Sequence, residues 1–188
     1  VRGLLPAKKP AAGQRVLMTT NSEHWRKVAT LAMGAFSQEE AVGYIRQELE
    51  LSAEEGGEDK EELEAARELA TALGCLPLAL HHAVSYIVES SSTAAEYLDM
   101  YKEEGVELLS ATGEEGLDHP SVLVTYRLAL RKLEEENKNP LAAKMLRLCA
   151  YLHSSSLPVS VLRTALGVEK DSAFLTALKD VRSLSLLS

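Results

Sequence analysis

Apolar residues recur every three or four positions through most of the chain, in blocks set apart by short polar or acidic stretches. That period predicts amphipathic helices near residues 38–50, 61–73, 78–89, 94–103, 122–134, 140–152, 159–166 and 172–182. Ser37 with Glu40 and Thr93 with Glu96 have capping-box spacing, and Asn139 stands as a side-chain cap before Pro140. Gly105 is expected to break the helix that starts at residue 94. Only two short apolar runs read as strands, Val16 to Thr20 and Leu184 to Leu187. A buried strand needs neighbours, so the sheet that pairs with Val16 to Thr20 is expected upstream of Val1. The fold class is therefore mainly α, with a residual strand from an upstream α/β domain.

The polar stretches divide the chain. Residues 1–34 hold the strand and an irregular connection that ends at Gly34, residues 35–112 form a first helical block, and residues 113–188 form a second. The acidic segment from Ser52 to Lys60 has no apolar anchor and reads as a solvated loop; so does the glycine-bearing segment from Ala111 to Pro120. The short helices before Leu184 to Leu187 follow the order of a winged-helix domain cut at its first wing strand. The chain accordingly reads as a fragment.

The most informative stretch is Leu73-Gly74-Cys75-Leu76-Pro77-Leu78-Ala79-Leu80, which packs a helix end, a tight turn and a new helix start into eight residues. Gly74 takes a left-handed C′ conformation without a Cβ penalty, and Pro77 suits the first turn of the next helix. Two readings of this octet stand side by side. One is a well-packed helix corner. The other is a recognition element, in which a proline ring flanked by Leu76 and Leu78 forms a wall for a flat apolar group such as a purine.

Composition narrows the choices. Apolar residues make up 46% of the 188 residues but aromatics only 5%, so the core is aliphatic. A formal net charge of −8 disfavours non-specific binding to nucleic acid or to acidic membrane surfaces. Cys75 and Cys149 match no zinc spacing and read as free thiols in a reducing compartment, with a disulfide as the alternative. No apolar run approaches the roughly 18 residues that a membrane span needs, and no secretory leader is visible, so a cytoplasmic location is expected.

The segment LGCLPLALHHAVSYI, Leu73 to Ile87, resembles the GLPLAL motif of NB-ARC proteins, signal-transduction ATPases of the STAND class, especially those associated with tetratricopeptide repeats. RVLMTTNSEHW resembles the last parallel strand of their nucleotide-binding domain. The block from Val122 to Leu162 resembles the start of their winged helix. The resemblance implies ADP or ATP as ligand in a parent protein and packing of Pro77 on adenine, with Gly74, Leu76 and Leu78 shaping that wall. Thr20 and Asn21 fall where the family places its phosphate sensor. The family's arginine is replaced by Asn21, which offers one neutral hydrogen bond in place of a charge-assisted fork. The resemblance further implies partners: an upstream nucleotide-binding domain, a downstream repeat domain and homo-oligomerisation on activation, in signalling of the apoptotic or innate-immune kind.

Some chemistry is missing from the sequence. It contains no G-x-x-x-x-G-K-[ST] loop and no acidic Walker B strand, so the Mg2+ site lies elsewhere and this chain alone is not expected to hydrolyse ATP. His81 and His82 lack the spacing of a metal motif, and one is expected to face solvent and the other a subdomain contact. The alternative function is a helical protein-interaction module with a winged helix. DNA binding is disfavoured, because its last helix carries only Lys179 and Arg182 as cations.

Overall fold

A computed structural model of the chain describes Thr19 and residues 30–51, 60–112, 119–136, 139–152, 157–168 and 170–187. Helices stand where the apolar period predicts them. They are α1 (Gln38–Glu48), α2 (Lys60–Ala72), α3 (Pro77–Ser90), α4 (Ala94–Thr112), α5 (Pro120–Arg131), α6 (Pro140–Ala150), α7 (Val159–Leu166) and α8 (Asp171–Ser183), with a π-helical turn, Lys132–Glu136, continuing α5. The protein is mainly helical, and no strand occurs among the described residues. Val16 to Thr20 lies outside them apart from Thr19, as do most of the two expected loops.

Helix starts follow the local chemistry. At α1, the Ser37 N–H donates to Glu40 Oε2 at 2.8 Å while the Glu40 N–H donates to Ser37 Oγ at 3.2 Å, closing the predicted box. Thr93 and Glu96 do the same for α4, at 2.8 and 3.1 Å. Asn139 Oδ1 accepts from the Ala142 N–H, with Pro140 behind it in the first turn of α6. Helix ends are more uniform than the sequence suggests. Glu50, Gly74, Ser91, Gly167 and Ser185 all have φ between 53° and 64°. Each donates to a carbonyl three residues back, while the next residue donates five back, which defines a Schellman end. Only two of these five left-handed residues are glycine, so glycine placement alone marks fewer than half of the stops.

Two expectations are corrected. Gly105 does not break its helix: α4 runs for 19 residues through it. A single glycine costs about 1 kcal/mol in a helix interior, and tertiary contacts on both sides of Gly105 outweigh that cost. Glu104, 2% exposed, is held by Arg127 Nε at 2.7 Å and Arg131 Nη1 at 3.0 Å, and Leu108 is buried a turn later. The second correction concerns Leu184 to Leu187, which form the turn that ends α8 and not a strand. Leu184 is fully buried and Ser185 is left-handed, so the apolar run anchors a helix end where no strand edge is on offer.

The chain divides into two compact units, Val1–Gly34 and Ala35–Ser188. Within the second, α1 pairs with α2, α2 with α4 and α4 with α5, while α6 packs on α7 and α8. The helix α3 is central: it touches α1, α4, α5 and α8 and buries seven side chains, Ala79, Leu80, His82, Ala83, Val84, Tyr86 and Ile87. One apolar core runs from Ala41 and Ile45 of α1 to Leu184 after α8, continuous across the expected boundary near residue 113.

The Gly105 environment yields a prediction. A Cβ built there meets nothing within 4 Å. Gly105→Ala should therefore stabilise the protein by about 0.5–1 kcal/mol through backbone entropy, raising the thermal midpoint by roughly 1–4 °C. A lowered midpoint in calorimetry would contradict the uninterrupted α4.

Candidate functional site

The octet resolves into a defined piece of geometry. Leu63, Ala66, Leu69, Ala70 and Leu73 line the buried stripe of α2. The helix closes with Gly74 N–H donating to Thr71 C=O and Cys75 N–H to Ala70 C=O, each at 3.0 Å. Gly74 sits at φ 64° and Cys75 follows at φ 52°, so two consecutive residues are left-handed. Leu76 is extended, at φ −76° and ψ 120°, and Pro77 opens α3. Two left-handed residues and one extended residue thus complete the reversal between helices. At Gly74 a Cβ would meet only Leu76 Cγ, at 4.0 Å, so the site requires glycine for its backbone angle and not for space.

Neighbouring elements brace the turn. The Phe36 N–H donates to the Cys75 carbonyl at 3.0 Å, laying the segment before α1 across the junction. Gln38 Nε2 donates to Thr71 Oγ1 at 3.0 Å, and Tyr101 Oη from α4 donates to the Ala72 carbonyl at 3.2 Å. Of the last carbonyls of α2, otherwise orphaned at a helix end, that of Ala72 is partnered from α4, and those of Ala70 and Thr71 by the turn itself.

Side-chain burial then splits the motif. Ala79 and Leu80 are in the core, Leu76 is half-buried, and Pro77 and Leu78 are exposed, Leu78 by 54%. One helical turn beyond Pro77, the Nδ1 of exposed His81 lies 2.9 Å from Tyr44 Oη of α1. The Tyr44 ring lies 6.5 Å from that of Phe36, tilted by 51°. Burial, and secondarily the Glu48 carboxylate, push the Tyr44 phenol above its usual range, so it is protonated at neutral pH. The junction therefore offers a proline and a leucine to solvent, with a phenol–imidazole pair and a second aromatic ring on the flanking helix. Such a face can pack on a planar apolar group and hydrogen-bond at its edge.

Gly74, Leu76, Pro77 and Leu78 thus occupy one turn, whereas Thr20 and Asn21 lie outside the described residues. The two histidines divide as expected: His81 is exposed and His82 is buried against α5. Sequence reading missed the Tyr44–His81 pair, the Phe36 strap and the left-handed Cys75. The pair spans 37 residues, and nothing local signals it. No cluster of three potential metal ligands exists among the described residues, both cysteines are free, and no described helix is long and apolar enough to cross a membrane. A separate open depression of about 650 Å³ lies along the start of α2, lined by Lys60, Glu61, Leu63, Glu64 and Arg67, and includes no residue of the junction. Comparison with protein-family models, curated proteins and solved structures returned no match.

The left-handed turn makes a specific demand on substitution. Gly74→Val should cost at least about 2 kcal/mol, because a β-branched residue resists positive φ. Gly74→Asn should cost less than about 1 kcal/mol, since Asn tolerates that region. Urea midpoints of the two variants compare the effects directly, and equal losses would show that the backbone angle is not what glycine supplies.

Proposed function

We propose that this chain is the regulatory part of a nucleotide-switched signalling ATPase of the NB-ARC type, which couples ADP or ATP binding to interdomain closure and oligomerisation. The observation that carries the reading is the braced junction, in which two left-handed residues and an extended Leu76 lead into exposed Pro77 and Leu78. A rigid apolar wall costs little entropy on binding, which suits a flat ligand such as adenine. In this reading residues 1–34 close a nucleotide-binding α/β domain, residues 35–112 form the GLPLAL subdomain and residues 113–188 begin a winged helix. Asn21, with Thr20, stands at the phosphate end and contributes a neutral contact. The P-loop, the Walker B acid and the Mg2+ site belong to the nucleotide-binding domain of the parent protein, and a downstream repeat domain completes a cytoplasmic sensor. The chain itself is not an enzyme. ADP holds the subdomains together, and exchange for ATP frees the second helical block so that protomers assemble.

A second reading, a helical interaction module, draws on Val159, Val161 and Leu175, which leave α7 and α8 with exposed apolar side chains. DNA recognition is not supported by α8, which carries Lys179 and Arg182 but also Asp171 and Asp180.

The test is ADP release from the parent protein. Pro77→Ala removes part of one apolar contact and should speed release about five- to thirty-fold, equivalent to roughly 1–2 kcal/mol of affinity, with folding intact. Unchanged release in a folded variant would reduce the junction to a packing corner.

A further inference from the structure

The exposed side of α3 carries a polar group beside the apolar residues of the junction. His81 follows Leu78 by three residues and Pro77 by four, a spacing that sets all three on one face of the helix. Its Nδ1 is 2.9 Å from Tyr44 Oη of α1. The Tyr44 phenol is half-buried, lies against the Phe36 ring and keeps its proton at neutral pH, because burial raises it above the usual range. Among the described residues that O–H has no other acceptor. It therefore donates to Nδ1, and a neutral imidazole that accepts at Nδ1 carries its own proton at Nε2. If the ring gains a second proton, Nδ1–H turns to the phenol oxygen and Nε2–H stays in place. The exposed ring thus presents the same group in both charge states: an N–H donor with no partner among the described residues, next to exposed Pro77 and Leu78.

We propose that His81 sets the ligand specificity of the junction: held by Tyr44, its Nε2–H donates to an unprotonated ring nitrogen of the base that lies on Pro77. The assignment rests on the nucleotide reading above and adds a chemical demand on the ligand. Shape alone would admit any flat aromatic group against a proline and a leucine. A donor fixed at the rim selects a heterocycle with an in-plane acceptor. It rejects an isostere that places a C–H at that position, because the donor then loses its water and gains nothing in return. Adenine meets the demand with N1, N3 or N7. Tyr44 is a positioning residue in this arrangement, acting only through the tautomer and plane it imposes on His81. A ring set before the ligand arrives gives up little rotamer freedom on binding.

Two measurements test the assignment. Imidazole nitrogen spectra of the chain, recorded at pH 8 where an ordinary histidine of pKa about 6.5 is neutral, should show His81 with Nδ1 unprotonated and Nε2 protonated. Tyr44→Phe should draw the two nitrogen shifts towards each other, as the ring becomes a mixture of tautomers, while the α2 amide signals stay fixed. A native His81 with its proton on Nδ1, or one whose nitrogen shifts ignore Tyr44→Phe, would overturn the proposal. The second measurement compares ADP with 1-deaza-, 3-deaza- and 7-deaza-ADP on the parent protein. His81→Leu should weaken ADP binding about tenfold. One analogue should bind the native protein about as weakly as ADP binds the variant, and that analogue alone should lose nothing further in the variant. No loss with ADP, or an equal loss with ADP and every analogue, would remove His81 from the site. Faster ADP release in Pro77→Ala would then still uphold the nucleotide reading, whereas unchanged release in a folded Pro77→Ala variant would end both.

Discussion

The left-handed pair Gly74–Cys75 is the constraint on which the rest of the arrangement depends. It fixes the direction in which α3 leaves α2, and α3 is the helix on which α1, α4, α5 and α8 all pack. A change of angle at this point would be carried along the 14 residues of α3 into every one of those contacts. The structure commits three braces to it: the Phe36 amide on the Cys75 carbonyl, Gln38 on Thr71, and Tyr101 on the Ala72 carbonyl. Two of the braces come from the start of α1 and one from α4, so the turn is determined from outside as well as from its own sequence.

The two sides of α3 then carry different work. One side begins at Pro77 and continues through Leu78 to His81, exposed and bordered by Tyr44. The other carries His82, Ser85 and Tyr86 into the seam with α5 and the turn after α8. Further along that seam Lys132 reaches back to Ser90 Oγ at 2.8 Å and lies 4.9 Å from the centre of the Tyr86 ring, a cation over an aromatic face.

Much of this was legible locally. Period, capping pairs and first-turn prolines located the eight α-helices of the described residues, and Gly74 with Pro77 located the junction, because each of those signals resides within a few neighbouring residues. What escaped was set by distant partners. Gly105 reads as a stop until the two guanidinium groups on Glu104 are known. Leu184 to Leu187 is equally apolar as a strand or as a buried helix end, and only the absence of a paired edge among the described residues decides it. Left-handed stops at Glu50, Ser91 and Ser185 carry no glycine to announce them. The pairs that border the candidate site, Tyr44 with His81 and Phe36 with Cys75, join segments that only the fold brings together.

The central claim is that the junction is held rigid before any ligand arrives. Hydrogen exchange of individual amides, measured on the unliganded chain, addresses it most directly. The Phe36 and Cys75 amides sit in a segment without regular helical bonding, yet Phe36 donates to the Cys75 carbonyl and Cys75 to the Ala70 carbonyl, at 3.0 Å each. The account predicts that they exchange as slowly as the buried α2 amides of Leu69 and Ala70. Exchange of Phe36 and Cys75 at the rate of an open loop, with α2 still protected, would contradict it.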